Sequence, residues 1–206
     1  MKNMKKALCL LLAVLMTVSL LAGCGKKVDD NADSKKVFTV GIDAEYPPFS
    51  YLGDDGSYTG FDIEIAQAAC DQLGWEMKVF PVNWEQKLTQ LDAKECDCIW
   101  SGMTILDSMK EAGYTLSAPY YDNTQVIMVK EGSDIKSSAD LAGKVVAVQL
   151  GTSGDTLLSE DGDLESLAAT FKSLVRSDSF LKCFTELSGG AVDAVIVDKP
   201  VATAYA

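Results

Sequence analysis

The chain has 206 residues and is strongly acidic, with 30 Asp and Glu against 18 Lys and Arg and a formal net charge of −12. This charge argues against nucleic-acid binding, which depends on cationic side chains that neutralise phosphates. The chain also contains no histidine, so the tight Cys96-Asp97-Cys98 spacing lacks the partners of a usual zinc site. We therefore expect neither a metal nor a cofactor, and the length permits one large domain or two small ones.

The first residues have the layout of a secretory signal peptide, predicted for residues 1–23. Basic residues precede an apolar stretch at 7–22, which is short for a membrane-spanning helix and ends in small residues. Cys24 resembles the cysteine of a bacterial lipobox, which implies a lipid anchor on the extracytoplasmic face of the cell membrane. The alternative is a plain signal peptide with an incidental cysteine. Residues 24–36 are polar and predict a disordered tether.

Strands and helices alternate in the first part of the folded chain. Hydrophobic periodicity predicts strands at 37–42, 75–80 and 98–101, with helices at 61–73 and 84–93 between them. A strand, a crossover helix and a second strand, repeated, predict a parallel α/β sheet. In such a sheet the loops gather at the C-terminal ends of the strands.

The same alternation restarts in the second part. The predicted elements are strands at 125–129, 144–150 and 191–197, a short helix at 137–141, a helix after the Gly-Thr-Ser-Gly loop of 151–154, and a helix at 180–187. Two α/β units in series predict two lobes, residues 37–120 and 121–206, that face each other across a cleft. Small ligands usually bind in clefts of this kind.

The loop after the first strand carries candidate binding residues. Asp43 stands at the end of that strand, and Tyr46 precedes Pro47-Pro48, which restrict the loop. An aromatic ring held in this way can cover an apolar side chain or a cation. The alternative for this stretch is a rigid surface turn with half-buried rings.

Two further loops carry small and hydroxyl residues. Ser101, Gly102 and Thr104 follow the third strand and could surround an anion, although this composition is common in loops. Thr152 and Ser153 stand between a strand and a helix, in a loop that lacks the Gly-Lys-Ser/Thr ending of a phosphate loop. A carboxylate therefore suits this loop better than a phosphate.

Asp198 ends the last predicted strand, where an unpaired buried carboxylate is costly. A ligand ammonium is one partner for it, and capping of a helix that begins near Pro200 is the alternative. Catalysis has little support, because the chain has no nucleophile elbow, no Cys–His pair and no spaced metal ligands. Acid–base pairs of Asp and Glu stay open, since they need only proximity. We expect a protein that is not an enzyme.

Six segments together resemble the polar amino-acid class of bacterial solute-binding proteins, the receptors of ABC uptake systems. In chain order they are VGIDAEYPPFSY, GSYTGFDIEIAQAACDQLG, NWEQKLTQLDAKECDCIWSGMTI, SAPYYDNTQVIMVK, DLAGKVVAVQLGTSGDTL and VDAVIVDKPVA. The resemblance implies a two-lobed, type II periplasmic-binding-protein fold in a receptor that delivers its ligand to an ABC permease and ATPase. There are two alternative functions. One is a sensory or adaptor domain that binds a ligand, and the other, less favoured, is a dehydratase-type enzyme on the same fold.

The resemblance also implies roles for individual residues around an amino-acid ligand. Tyr46 and Trp84 would wall the ligand side chain, and Asp43 would lie near it. Asp198 would bind the α-ammonium. Hinge strands near residues 119–125 would let the lobes close on the ligand.

The hydroxyl and glycine loops complete this implied site. From the first lobe, Ser101, Gly102 and Thr104 would meet the α-carboxylate and the amino group. From the second lobe, Thr152 and Ser153 would bind the carboxylate. These roles match the chemistry of the residues, because carboxylates accept hydrogen bonds from amides and hydroxyls.

Two features depart from the family pattern. In the family, the fifth position after Thr104 is usually an arginine that clamps the carboxylate. Here it is Met109, and the neighbouring Lys110 is a substitute with a point charge rather than a planar fork. The chain also stops at Ala206, soon after the Asp198 loop, whereas the family continues back to the first lobe. The C-terminal part of the fold is therefore expected to be missing, either because the sequence is a fragment or because the gene product is truncated.

Overall fold

Short apolar strands build the sheets of this protein, for which a computed structural model describes residues 35–206. The predicted signal peptide, Cys24 and nearly all of the predicted tether lie outside the described residues. No helix in the described part is both long enough and apolar enough to span a bilayer.

The regular elements of this part alternate between strands and helices, as the periodicity predicted. The strands are β1 Val37–Ile42, β2 Glu45–Tyr46, β3 Ser50–Leu52, β4 Tyr58–Thr59, β5 Glu76–Pro81, β6 Cys98–Ile99, β7 Gln125–Val129, β8 Val145–Gln149, β9 Ser173–Ser177 and β10 Ala194–Asp198. The α-helices are α1 Phe61–Leu73, α2 Lys87–Asp92, α3 Asp107–Glu111, α4 Ser153–Leu158, α5 Glu165–Ala168, α6 Phe180–Gly189 and α7 Lys199–Tyr205. Two 3-10 turns lie at Trp84–Gln86 and Ser138–Leu141.

Two larger sheets use successive parts of the chain. The N-terminal sheet has the order β5-β1-β6 and is parallel, and the C-terminal sheet has the order β7-β10-β8-β9. In the C-terminal sheet β10 is parallel to β8 and antiparallel to β7. A small antiparallel sheet, β2-β3-β4, follows β1. These layers confirm the predicted α/β class, and the lobe boundary near residue 120 stays a prediction.

The loop after β1 reaches from the N-terminal sheet into the core of the other sheet. Tyr46 and Phe49 belong to the same buried cluster as Phe180 of α6, Ala147 of β8 and Val195 of β10. The rings of Tyr46 and Phe180 lie 6.0 Å apart between centroids. Apolar burial therefore holds the predicted binding loop against the C-terminal sheet.

Some predicted bounds differ from the observed ones. The helix predicted at 84–93 is a 3-10 turn followed by α2, and the strand predicted at 98–101 is limited to Cys98–Ile99. Strand β9, at Ser173–Ser177, was missed. It lies at the edge of its sheet, and only Ser177 among its five residues is buried, so it lacks the apolar run of the central strand β10.

The cysteines of the described part are free thiols. Cys70, Cys96 and Cys183 are buried and Cys98 is half-buried. This placement fits the ordinary behaviour of free cysteine, which packs as a small hydrophobe.

Candidate functional site

A small cavity lies where the loops of the two larger sheets meet. Its volume is about 20 Å³, room for about one water molecule. Seven of the residues predicted to bind ligand line it: Tyr46, Trp84, Gly102, Thr104, Thr152, Ser153 and Asp198. Asp43 and Ser101 are buried but do not line this cavity. We call this space the cleft cavity.

Asp43 and Ser101 support the loops beside the cleft cavity. The backbone N–H of Asp43 donates to the Ser101 hydroxyl at 3.0 Å, and the side-chain amide of Gln149 donates to the Asp43 carboxylate at 2.7 Å. Burial raises the pKa of Asp43, and the hydrogen bond from Gln149 opposes that shift. Asp43 therefore joins the end of β1 to the end of β8.

Tyr46 and Asp198 form a direct contact across the cleft cavity. The Tyr46 hydroxyl donates to the Asp198 carboxylate at 2.6 Å. Gln125 donates to the other carboxylate oxygen at 2.5 Å, and Asn123 donates to that oxygen as well. Burial, followed by the charge of Asp198, raises the pKa of Tyr46 above its ordinary range. Asp198 is the N-cap residue that precedes α7, yet its side chain makes no capping hydrogen bond, because these donors hold it on the cavity side.

Two aromatic rings form one wall of the cleft cavity. Tyr46 and Trp84 are nearly parallel, with an angle of 12° between their planes and 6.4 Å between their centroids. Trp84 sits in the 3-10 turn that begins after Asn83, whose side chain accepts from the backbone N–H of Gln86. This hydrogen bond to the Asn83 side chain therefore fixes the start of the turn, and with it the position of the Trp84 ring in the site.

Gly102 is required by the space around it. Its φ is +55°, and a Cβ built there would lie 2.7 Å from a ring carbon of Tyr46. Its N–H donates to the carboxylate of Asp62 at 2.5 Å. The prediction placed this N–H on a ligand anion, whereas here a buried carboxylate already accepts it.

The hydroxyl residues meet from both sides of the cleft. Thr104 donates to the Ser153 hydroxyl at 3.1 Å, so these two predicted ligand contacts are in contact with each other. The Thr152 hydroxyl donates to the backbone oxygen of Gln149 at 2.7 Å and accepts from Asp155 N–H. Thr152 thus shapes its loop, while Thr104 and Ser153 join the two sides.

A buried lysine in the cleft cavity was missed by the sequence reasoning. Lys87 is only 5% exposed, and its ammonium donates to the backbone oxygens of Trp84 at 3.0 Å and of Gly151 at 2.8 Å. The ammonium also lies 4.7 Å from the centre of the Trp84 ring. Its position three residues after Trp84, one helical turn on, was a signal that could have placed both on one face.

The position expected to hold an arginine also faces the cleft cavity. Met109 is buried and lines it. Lys110, the substitute considered from sequence, is exposed and pairs with Asp107 at 2.9 Å. Lys110 is therefore not among the residues that line the cavity.

A second, larger cavity adjoins the first. It has a volume of about 350 Å³, is largely apolar, and shares Tyr46, Thr104 and Ser153 with the cleft cavity. Phe49, Tyr121 and other mostly apolar side chains line the rest of it, with Asn123 and Gln125 among the polar ones. The hydroxyl pair therefore stands at the junction of a small polar space and a wider apolar one.

Comparison with known proteins places this geometry in context. The sequence profile of the bacterial extracellular solute-binding proteins, family 3, matches residues 38–182. The L-cystine-binding protein TcyJ of Escherichia coli strain K12 is 34% identical over 193 residues, which cover 90% of this chain and 70% of that protein. The arginine-binding extracellular protein ArtP of Bacillus subtilis strain 168 is 34% identical over 202 residues, covering 98% of this chain and 76% of that protein.

Solved structures show the same similarity. An ancestral arginine-binding protein bound to arginine has a TM-score of 0.76 and 35% identity, over 84% of this chain and 74% of its own. A match of this length and identity extends through both larger sheets. The chain therefore shares the fold of that structure.

Proposed function

The chain belongs to the bacterial extracellular solute-binding proteins of family 3, as the resemblance predicted, and we propose that it captures an amino acid between its two larger sheets. The fold class predicted for it, a type II periplasmic-binding-protein fold, agrees with its structural relatives. The protein would deliver its ligand to the permease and ATPase of an ABC importer. A lipid on Cys24 would hold it at the extracytoplasmic face of the cell membrane.

The contact between Tyr46 and Asp198 is the observation that carries the proposal. A buried carboxylate with three hydrogen-bond donors around it is a ready acceptor for a ligand ammonium. Gln125 and Asn123 would keep their bonds to one oxygen. The ammonium would take the place of the Tyr46 hydroxyl on the other.

Binding requires the site to enlarge. A cavity of about 20 Å³ cannot hold an amino acid, and the Tyr46 and Trp84 rings are too close to admit a side chain between them. Contacts such as Thr104–Ser153 and Asp43–Gln149 would separate when the halves part at the hinge near residues 119–125. A bond between two hydroxyls, such as Thr104–Ser153, contributes about 0.5–1.5 kcal/mol, and a bond to a carboxylate, such as Gln149–Asp43, about 1.5–3 kcal/mol. Contacts with the ligand can replace bonds of this size.

The relatives support the ligand class. The two curated relatives bind cystine and arginine by name, and both are binding proteins. We therefore favour a receptor over an enzyme on the same fold. A sensory domain would bind its ligand in the same pocket but would not need a permease. An assay of amino-acid uptake therefore distinguishes a transport receptor from a sensory domain.

Isothermal titration calorimetry of residues 25–206 against L-amino acids, with L-cystine, L-arginine and L-histidine among them, tests the proposal. At least one amino acid should bind, and Asp198→Asn should weaken it at least ~10-fold, because a hydrogen bond to a charged group is worth about 1.5–3 kcal/mol. Asp107→Asn, at an exposed carboxylate, is the matched control and should bind normally. Absence of binding by the wild type to every amino acid would reject the proposal.

The lipid anchor has its own test. Cells that express the full chain should incorporate labelled fatty acid into it and retain it in the membrane fraction. Cys24→Ala should abolish the label and release the protein. An unlabelled wild-type chain, or a label that persists in the variant, would remove the anchor from the proposal and leave ligand binding untouched.

A further inference from the structure

The cleft cavity contains one charge of each sign. Among the described residues that line it, Lys87 is the only cation and Asp198 the only anion. The remaining lining residues are neutral, Met109 included. A cavity with this pair of charges complements an α-amino acid, a zwitterion in which the ammonium and the carboxylate are both attached to the α-carbon.

Other nearby cations are engaged elsewhere. Lys110 is exposed and pairs with Asp107, and Arg176 pairs with Asp155 at 2.6 Å. Neither lines the cleft cavity. Lys87 is therefore the one cation among the described lining residues that could bind a ligand carboxylate, as an arginine at position 109 would.

The position of the Lys87 ammonium is fixed by backbone. Two carbonyl oxygens accept from it, one from Trp84 and one from Gly151 on the facing loop. An ammonium has three donors, so one remains for a ligand. Lys87 does not take part in any salt bridge of the described part of the chain. Burial of this ammonium is costly, and the nearby charge of Asp43 offsets only part of that cost without a direct contact. A ligand carboxylate in direct contact would offset more of it.

We propose that Lys87 binds the carboxylate of the ligand and so replaces the arginine that the family usually carries at the position of Met109. This inference rests on the proposed function, and it identifies the ligand by its charged carboxylate. The protein should then discriminate an amino acid from its α-amide, which has the same shape without the negative charge. A single lysine is a point charge rather than a planar fork, so discrimination depends on one charge-assisted bond.

Calorimetry with the amino acid that binds best and with its α-amide tests the inference. The wild type should prefer the acid by at least ~10-fold, which corresponds to about 1.4 kcal/mol. Lys87→Gln and Lys87→Met should each reduce this preference to less than about threefold, and Lys110→Gln should keep it. Adding Met109→Arg to Lys87→Gln should restore the preference. An unchanged acid-to-amide ratio in both Lys87 variants would overturn the inference while leaving the proposed function intact.

A measurement on the wild type does not depend on how the variants fold. The ¹³Cε resonance of Lys87 reports the protonation of its ammonium. If the ligand carboxylate binds there, the Lys87 pKa should rise by about one unit or more with the acid and much less with the amide. Equal shifts with both ligands would overturn the inference. Failure of the wild type to bind any amino acid would instead reject the proposed function, and this inference with it.

Discussion

The hydroxyl of Tyr46 donates a 2.6 Å hydrogen bond to the carboxylate of Asp198, and this bond joins the loop after β1 to the end of β10. The two residues are 152 positions apart in the chain. In the proposed mechanism the ligand ammonium competes with this hydroxyl. Under that proposal, Tyr46 would be both a wall of the site and a group that the ligand displaces from Asp198.

Removing the hydroxyl should tighten binding. Tyr46→Phe keeps the ring against Trp84 and leaves Asp198 free of its competitor, so the amino-acid Kd should fall by at least ~10-fold, because a hydrogen bond to a charged group is worth about 1.5–3 kcal/mol. Calorimetry measures the change. Tyr114→Phe is the matched control, because Tyr114 donates to Asp92 at 2.7 Å outside the cleft cavity. Weaker binding by Tyr46→Phe would mean that the hydroxyl contacts the ligand instead.

Gly151 should be required for close approach of the two sides. A Cβ at Gly151 would lie 2.9 Å from the Cα of Glu85, and the residue has φ of +73°. Gly151→Ala should therefore destabilise the protein by more than the backbone strain alone, which is about 1–2 kcal/mol, and should weaken ligand binding.

Gly132→Ala provides the control for that variant. Gly132 has φ of +78° with no atom within 4 Å of its built Cβ, so its substitution introduces strain without a clash. Urea denaturation should show the smaller loss of stability, and calorimetry should show normal affinity. Equal effects of the two substitutions on stability and affinity would contradict the close approach at Gly151.

The buried ammonium of Lys87 should make stability depend on pH. Burial lowers the pKa of Lys87 to about 8 from the ordinary 10.5, and the charge of Asp43 opposes the shift. Between these values the unfolded chain binds more protons at this residue, so its contribution to stability rises with pH.

Comparison with Lys87→Met isolates this contribution. Other titrating groups are common to both proteins and cancel in the difference. The free energy of unfolding of the wild type, relative to Lys87→Met, should increase from about pH 7 to about pH 10. Denaturant titrations at several pH values measure it. A difference that stays constant or falls would contradict the buried position of the ammonium.

Removing the negative charge of Asp62 should stabilise the folded protein. Its carboxylate is fully buried, and one of its oxygens has no hydrogen-bond partner among the described residues. Burial raises the pKa of Asp62, and the hydrogen bond from the N–H of Gly102 opposes that shift. Because the folded pKa is the higher one, the contribution of Asp62 to stability is lost as pH rises through that value.

Asp62→Asn should therefore be more stable than the wild type at pH 7, and the gain should shrink towards pH 4. Thermal unfolding at the two pH values measures it. Glu64→Gln, on the same helix and exposed, should show no comparable gain. A variant less stable than the wild type at pH 7 would show that the charge of Asp62 is needed to hold Gly102.

Local patterns in the sequence were enough to locate several elements and to select polar candidates for the site. Strand β1, helix α1 and strand β7 have the predicted ends, because apolar periodicity is strong there. Tyr46 and Asp198 could be selected as candidates from a restricted aromatic loop and from an acid at the end of an apolar strand. Both selections depend only on residues that are adjacent in the chain, and the sequence shows these directly.

Contacts between distant segments were beyond such patterns. The antiparallel pairing of β7 with β10 puts Gln125 opposite Asp198, and the sequence alternation predicted no antiparallel neighbour there. Lys87 is the first residue of an ordinary helix. Its ammonium is held in place because the carbonyl of Gly151, 64 residues away, accepts a hydrogen bond from it.

The sequence by itself determined the class of fold, the family and the chemical types of most candidate site residues. The tertiary structure alone decided that Tyr46 donates to Asp198, that Asp43 supports the site from behind, and that Lys87 rather than Lys110 faces the cavity. The physical reason is that periodicity encodes which face of an element is buried. It does not encode which distant polar group that face will meet, since this depends on how the sheets and loops pack together.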